Sequence, residues 1–160
     1  PATPVVAAVA PAKPKISTVD AKPASDGLAH SLNQLRAEVN ARWPNRAKHH
    51  DGTIGDKAHQ ARRSDHNPDA DGIVRAIDIT AEGIDATVLL KAVIGDDRVH
   101  YVIHDSKIYS RTYGWKARPY SGSSPHDQHI HVSLINGGTK GYSAKQRRHA
   151  ADDSTPWGIA

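Results

Sequence analysis

Cysteine, methionine and phenylalanine are all absent from the 160 residues. Without cysteine the chain can form no disulfide, no zinc–thiolate cluster, no iron–sulfur site and no thiol nucleophile. The redox compartment stays open, because a thiol-free chain works in either. Without methionine there is no initiator, so the chain is expected to be a processed protein or a piece of a longer one. No apolar run approaches the roughly 18 residues that a membrane span needs, and the mean hydropathy of −0.60 is that of a soluble chain. The length suffices for one domain with a real core, and not for two ordinary ones.

Histidine, in contrast, occurs eleven times. With no thiolate available, imidazole plus carboxylate is the simplest metal chemistry left to the chain. Lys and Arg number 21 against 17 Asp and Glu, giving a net charge of +4 and a pI near 9.4. Such a balance favours polyanionic partners, whether nucleic acid or an anionic cell wall. It serves solubility equally well.

Residues 1–25 hold Pro1, Pro4, Pro11, Pro14 and Pro23 among many alanines. Proline at this spacing favours extended polyproline II, so this stretch is expected to be a linker or disordered arm. Residues 26–160 are expected to form the functional domain. Leu28, Leu32, Leu35 and Val39 fall on one helical face, with Ser25 or Asp26 as the cap and Trp43-Pro44 as the stop. Residues 45–75 are polar and carry almost no large apolar side chains; long loops of that kind are usually functional or disordered. Strands are expected at 76–80, 99–104, 107–110 and 129–135, with a tight hairpin at Asp105-Ser106. A second helix is expected over 84–94, and loops over 111–128 and 136–160. Helices beside an antiparallel sheet make the fold class α+β, with long loops around the site.

Two strands place polar residues opposite an apolar face. Ile130, Val132 and Leu134 alternate with His129, His131 and Ser133, and Ile77 and Ile79 flank Asp78. In one sheet, Asp78, His129 and His131 would project from the same side, which suits a divalent metal. The alternative is a solvated polar face without a ligand. The preceding loop, Ser64 to Asp78, adds a histidine in a turn, a glycine and then the strand aspartate.

The order Ser64-x-His66, Gly72, Ala76-x-Asp78 and, far downstream, His129-x-His131 resembles the zinc peptidase superfamily. That superfamily unites D-Ala-D-Ala metallopeptidases, lysostaphin-type enzymes and penicillin-insensitive murein endopeptidases. The likeness spans about residues 60–135. It implies a zinc ion held by His66, Asp78 and His131. The run His126-Asp127-Gln128-His129-Ile130-His131 is similar to the murein endopeptidase arrangement, which makes His126 and His129 the catalytic histidines that do not bind the metal. The gap from His66 to Asp78 is longer than usual in the superfamily, with 67–71 as the insertion; His59, Asp65 and Asp71 are therefore substitute candidates for the loop ligand. No glutamate precedes His131, so a glutamate base is not expected.

On this reading Asp127 orients a catalytic imidazole, and Arg62 or Arg63 holds a substrate carboxylate. Trp115 and Tyr120, with Tyr113, line a groove or else serve the core. The implied activity is peptide-bond hydrolysis in bacterial peptidoglycan, by a phage endolysin or a secreted wall hydrolase. It would act at the wall as a monomer, alone or as part of a longer modular chain, with no nucleic-acid partner. Two other readings stand beside it. Asp65-His66-Asn67-Pro68 is similar to part of the His-Asn-His nuclease motif, and the basic pI suits nucleic acid. A non-catalytic wall-binding module would keep the fold and lack a catalytic histidine.

Overall fold

The computed structural model of the chain describes residues 26–55 and 64–159. The linker expected over 1–25 lies outside the described residues, as do His59, Arg62 and Arg63. The described residues form an α+β fold: helix α1 (His30–Arg42), strand β1 (Ala76–Thr80), helix α2 (Ala86–Val93), strands β2 (Val99–His104) and β3 (Lys107–Ser110), a short 3₁₀ turn (Arg111–Tyr113), strands β4 (Arg118–Pro119) and β5 (His129–Leu134), and helix α3 (Ala144–Asp152). The five strands make one antiparallel sheet in the order β1-β5-β2-β3-β4.

One face of that sheet is the core face. Ile77, Ile79, Val102, Ile130, Val132 and Leu134 are buried there against Leu32, Leu35 and Val39 of α1, and Leu89 and Val93 of α2. Truncating one such side chain to alanine costs about 2–5 kcal/mol. Trp157, expected in a loop, is also core: it is 1% exposed, its indole N–H donates to the Ser31 carbonyl at 2.8 Å, and Arg98 lies over its ring at 3.6 Å. The fully buried Glu38 carboxylate accepts hydrogen bonds from the Trp157 and Gly158 amides at 2.9 and 3.2 Å, which seats the last residues on α1.

Several expectations need correction. The first helix has no side-chain cap and begins at His30. Asp26 instead accepts from the Leu28 amide and the Thr53 hydroxyl, and Leu28 bridges to Val74 as a strand-like residue. A third helix, α3, replaces the loop expected at its position. Its only apolar residues are alanines, so it carries no leucine or valine periodicity to reveal it. The Ser143–Gln146 capping box was its one sequence signal. Within 111–128, β4 pairs with β3 over two residues, too short to show alternation. The hairpin is as expected, with Asp105 and Ser106 both at positive φ, 50° and 60°. A register shift between Val99 and Tyr101 leaves His100 outside the ladder.

Candidate metal centre

The other face of the sheet gathers the histidines. Antiparallel register sets Asp78 directly opposite His131, and Thr80 opposite His129. Directly paired residues project to the same face, so the two strands with the aspartate and the His-x-His motif present them together. Tyr101 pairs with Ser133, and Ile103 with His131, extending that face onto β2. The third member arrives from the polar loop. Asp69 organises this loop: its carboxylate accepts from the Asp71 and Ile73 amides and pairs with Arg75 at 2.7 Å, while Gly72 turns at φ +76°. Residues 69–73 thus form a self-contained turn, and His66 reaches the sheet.

His66 Nε2 lies 3.3 Å from Asp78 Oδ2 and 3.2 Å from His131 Nδ1. His131 Nδ1 lies 2.9 Å from Asp78 Oδ1. One donor atom from each of the three residues falls within 4.8 Å of the others, and this is the one such group among the described residues. Each imidazole has its remote nitrogen occupied. His66 Nδ1–H donates to the Thr53 carbonyl at 2.6 Å; since a carbonyl only accepts, Nδ1 carries a proton, and Nε2 is the nitrogen turned to Asp78. His131 Nε2 lies 2.8 Å from the Ser133 hydroxyl, which leaves Nδ1 facing Asp78. Groups behind a metal-binding imidazole commonly set its tautomer in this way.

The local field favours a cation at the centre of the three. Burial works against charge on Asp78, but hydrogen bonds and charge from His131 and His66 outweigh it and hold the carboxyl far below the usual carboxylate range. Burial likewise opposes a proton on His66, and the Asp78 carboxylate overcomes it, so this imidazole is raised. Two imidazoles and one carboxylate are a donor set that suits a divalent transition metal, and they leave further coordination positions for water.

Two more imidazoles flank the three. His129 Nε2 is 3.6 Å from Asp78 Oδ1. The His126 ring lies 4.7 Å from that of His129 and 5.6 Å from that of His131, centroid to centroid. Burial and then the nearby His131 lower His126, and burial lowers His129 despite the opposing Asp78 charge. His126 adopts a left-handed φ of 54°, and its Nδ1–H donates to the Ser124 carbonyl at 2.8 Å. His104 is half-buried and donates from Nδ1 to the carbonyls of His126 and His129 at 3.0 and 3.1 Å. It fixes the backbone carrying both flanking imidazoles.

Other expected site residues divide. Tyr120 stands 5.4 Å from His126, ring to ring, beside the centre. Trp115 does not line it: the indole packs against the hydrophobic core with Arg111 over its ring. Asp127 is exposed and has no hydrogen bond or ion pair to either imidazole among the described residues; Ser124 and His104 take the orienting role expected of it. Asp65 and Asp71 are not ligands either. Asp65 accepts from Tyr101 and Asn136, and Asp71 is exposed on the turn.

Three supporting residues were missed altogether. Asp51 accepts from the Thr80 amide at 2.8 Å, Gly52 exchanges two backbone hydrogen bonds with Asp78, and the Thr53 carbonyl holds His66. Consecutive residues of one loop thereby grip both β1 and the loop histidine. Nothing in their residue types announces this, because the contact depends on the path of the loop. Compared with known protein families, curated proteins and solved structures, the chain matches none.

Proposed function

We propose that the chain is a zinc-dependent peptidase that hydrolyses an amide bond in the peptide part of bacterial peptidoglycan. The observation that carries this reading is the convergence of His66, Asp78 and His131 on one point, with two unligated imidazoles beside it. The substrate class is supported by the resemblance in order and type of Ser64, His66, Gly72, Ala76, Asp78, His129 and His131 to the wall-cutting zinc peptidases.

His66 Nε2, His131 Nδ1 and one Asp78 oxygen would hold the ion. When bound, zinc would lower the pKa of a water ligand to roughly 7 and polarise a carbonyl. His129, held neutral by burial, accepts a proton at Nε2, the atom nearest Asp78. His126 lies on the other side of His129 and His131. The proton taken up by His129 is the one returned to the leaving amine, and the His126 ring, 4.7 Å from that of His129, bounds the site beside it. His104 and Ser124 keep these two rings in place through the backbone. Tyr120 bounds the site beside His126. Such an enzyme would act at the cell wall, as an endolysin or a secreted hydrolase.

The test joins metal content to release of amino groups from purified peptidoglycan. The wild-type chain is expected to carry one zinc and to release amines. His131→Ala is expected to lose both, and His129→Ala to keep zinc and lose turnover by about 10²–10⁴-fold. Retention of zinc and activity by His131→Ala overturns the assignment. DNA cleavage with magnesium and no zinc requirement would support a nuclease instead.

A further inference from the structure

A single row of side chains crosses the sheet from the metal centre to its far edge. Asp78 pairs with His131, His131 with Ile103, Ile103 with Ile108, and Ile108 with Arg118. Directly paired residues share a face, so Arg118 stands on the same side as the three metal-binding groups, with two isoleucines between. Strands lie about 4.8 Å apart, which puts Arg118 roughly 14 Å from His131, or about four residues of extended peptide. Tyr120, on the same face two residues beyond Arg118, flanks the row together with His126. Tyr101, one pair along β2, flanks it on the other side.

The guanidinium of Arg118 lies 3.5 Å from the centroid of the Tyr113 ring. Tyr113 is 56% exposed, so this stack is at the surface and not in the core. Among the described residues, the guanidinium has no carboxylate or carbonyl partner. A planar group held by stacking, with its donors free, is prepared for two-pronged contact with a carboxylate. Stacking also removes part of the rotamer entropy that a free arginine loses on binding.

We propose that Arg118, braced by Tyr113, binds a carboxylate of the peptide substrate about three to four residues from the bond that is cut. Ile108, half-buried, would lie beneath the intervening residues, while Ile103 is already buried within the protein. This rests on the peptidase reading, and it adds a requirement: the substrate must carry a free carboxylate at that spacing. Peptidoglycan stem peptides carry several carboxylates, some of which can be amidated, so the arginine would discriminate between the two forms.

The zinc-loaded full chain is assayed on a crosslinked stem-peptide dimer, with its carboxylates free or converted to carboxamides. Arg118→Gln is expected to raise KM for the free-acid dimer about tenfold, with kcat within about twofold and zinc content unchanged. Wild type is expected to suffer a similar KM penalty on the amidated dimer, and Arg118→Gln to treat both dimers alike. Arg118→Lys should fall between them, since it keeps charge and loses the fork. Equal KM for wild type and Arg118→Gln on the free-acid dimer overturns the proposal. So does an undiminished preference for the free acid in Arg118→Gln. If wild type cleaves neither dimer, the peptidase reading fails. Calorimetric binding of the free-acid dimer then decides the role of Arg118: tenfold weaker binding to Arg118→Gln upholds it, and equal binding removes it.

Discussion

The hydroxyl of Tyr101 donates to Asp65 Oδ2 at 2.9 Å, while its ring lies parallel to that of His131 with centroids 5.5 Å apart. One side chain therefore touches His131 and the neighbour of His66, two of the three residues that could hold a metal ion. Asn136 completes the clamp by donating to the other oxygen of Asp65 at 2.8 Å. Burial holds the Tyr101 phenol well above its ordinary range, so it stays a donor at all working pH. Tyr101→Phe keeps the stack and deletes the bond. It is expected to weaken zinc affinity about tenfold, as loss of an outer partner to a metal site commonly does. Zinc titration against a competing chelator measures this, and an affinity unchanged from wild type would rule out the clamp.

Gly52 offers a graded test of the crowding around Asp78. A Cβ at position 52 would lie 3.4 Å from Asp78 Oδ2, an ordinary contact. Gly52→Ala is therefore expected to bind zinc nearly as wild type does. Gly52→Val adds methyl groups against the carboxylate and is expected to lose about tenfold or more in zinc affinity, with about 1–3 kcal/mol of stability. Equal zinc affinities for the two variants would show that Asp78 has room to move.

Stability should fall on the acid side. Burial pushes the Asp51 carboxyl up, but hydrogen bonds from Arg46 and from Thr80 outweigh it, and the net shift is downward. Asp26, Asp69 and Asp153 are lowered too, each by partners that overcome burial. A carboxyl lowered by folding takes up its proton more readily in the unfolded chain. Its stabilisation is full above the unfolded value near pH 4 and is lost as pH falls through the folded value. Urea midpoints of the zinc-free chain are expected to drop below about pH 4; between about pH 7 and 5 the raised His66 adds stability as pH falls while the lowered His126 and His129 remove it, so their balance sets the slope there. In Asp51→Asn the acid-side drop should be shallower, from a lower starting stability.

The hairpin at Asp105-Ser106 places two non-glycine residues at positive φ. Their amides donate to the carbonyls of His126 and Pro125, which ties the turn to the loop bearing His126. Replacing the pair with Asn-Gly suits the same turn at lower conformational cost and is expected to add about 0.5–1 kcal/mol. Thermal unfolding measures it, and a loss of stability would show that these side chains contribute more than the turn geometry.

Much of this arrangement was legible in the residues, and the limits of that legibility are physical. Strands β1 and β5 were readable because isoleucine and valine alternate with polar residues, which also told which face would hold Asp78 and His131. Helix α3 was hidden because alanine is its only buried residue type. Asp127 was misplaced because adjacency to a histidine in sequence does not bring its carboxylate to the imidazole; its neighbours turn at a left-handed residue and it ends in solvent. Trp115 follows a similar course, left-handed at φ 66° and turned onto the core. The supports at Asp51, Gly52 and Thr53 come from long-range loop placement, and that at Tyr101 from the pairing of β2 with β5; periodicity is silent on both.

Both outer margins of the sheet are closed to a further strand. On one side the backbone of Asp78 is already satisfied by Gly52. On the other, β4 ends in Pro119, which has no amide hydrogen to offer. A long bare edge invites edge-to-edge polymerisation, and these two short, blunted borders deny neighbouring molecules that foothold. The histidine-rich face is thus framed by two margins that offer little backbone for a further strand to pair with.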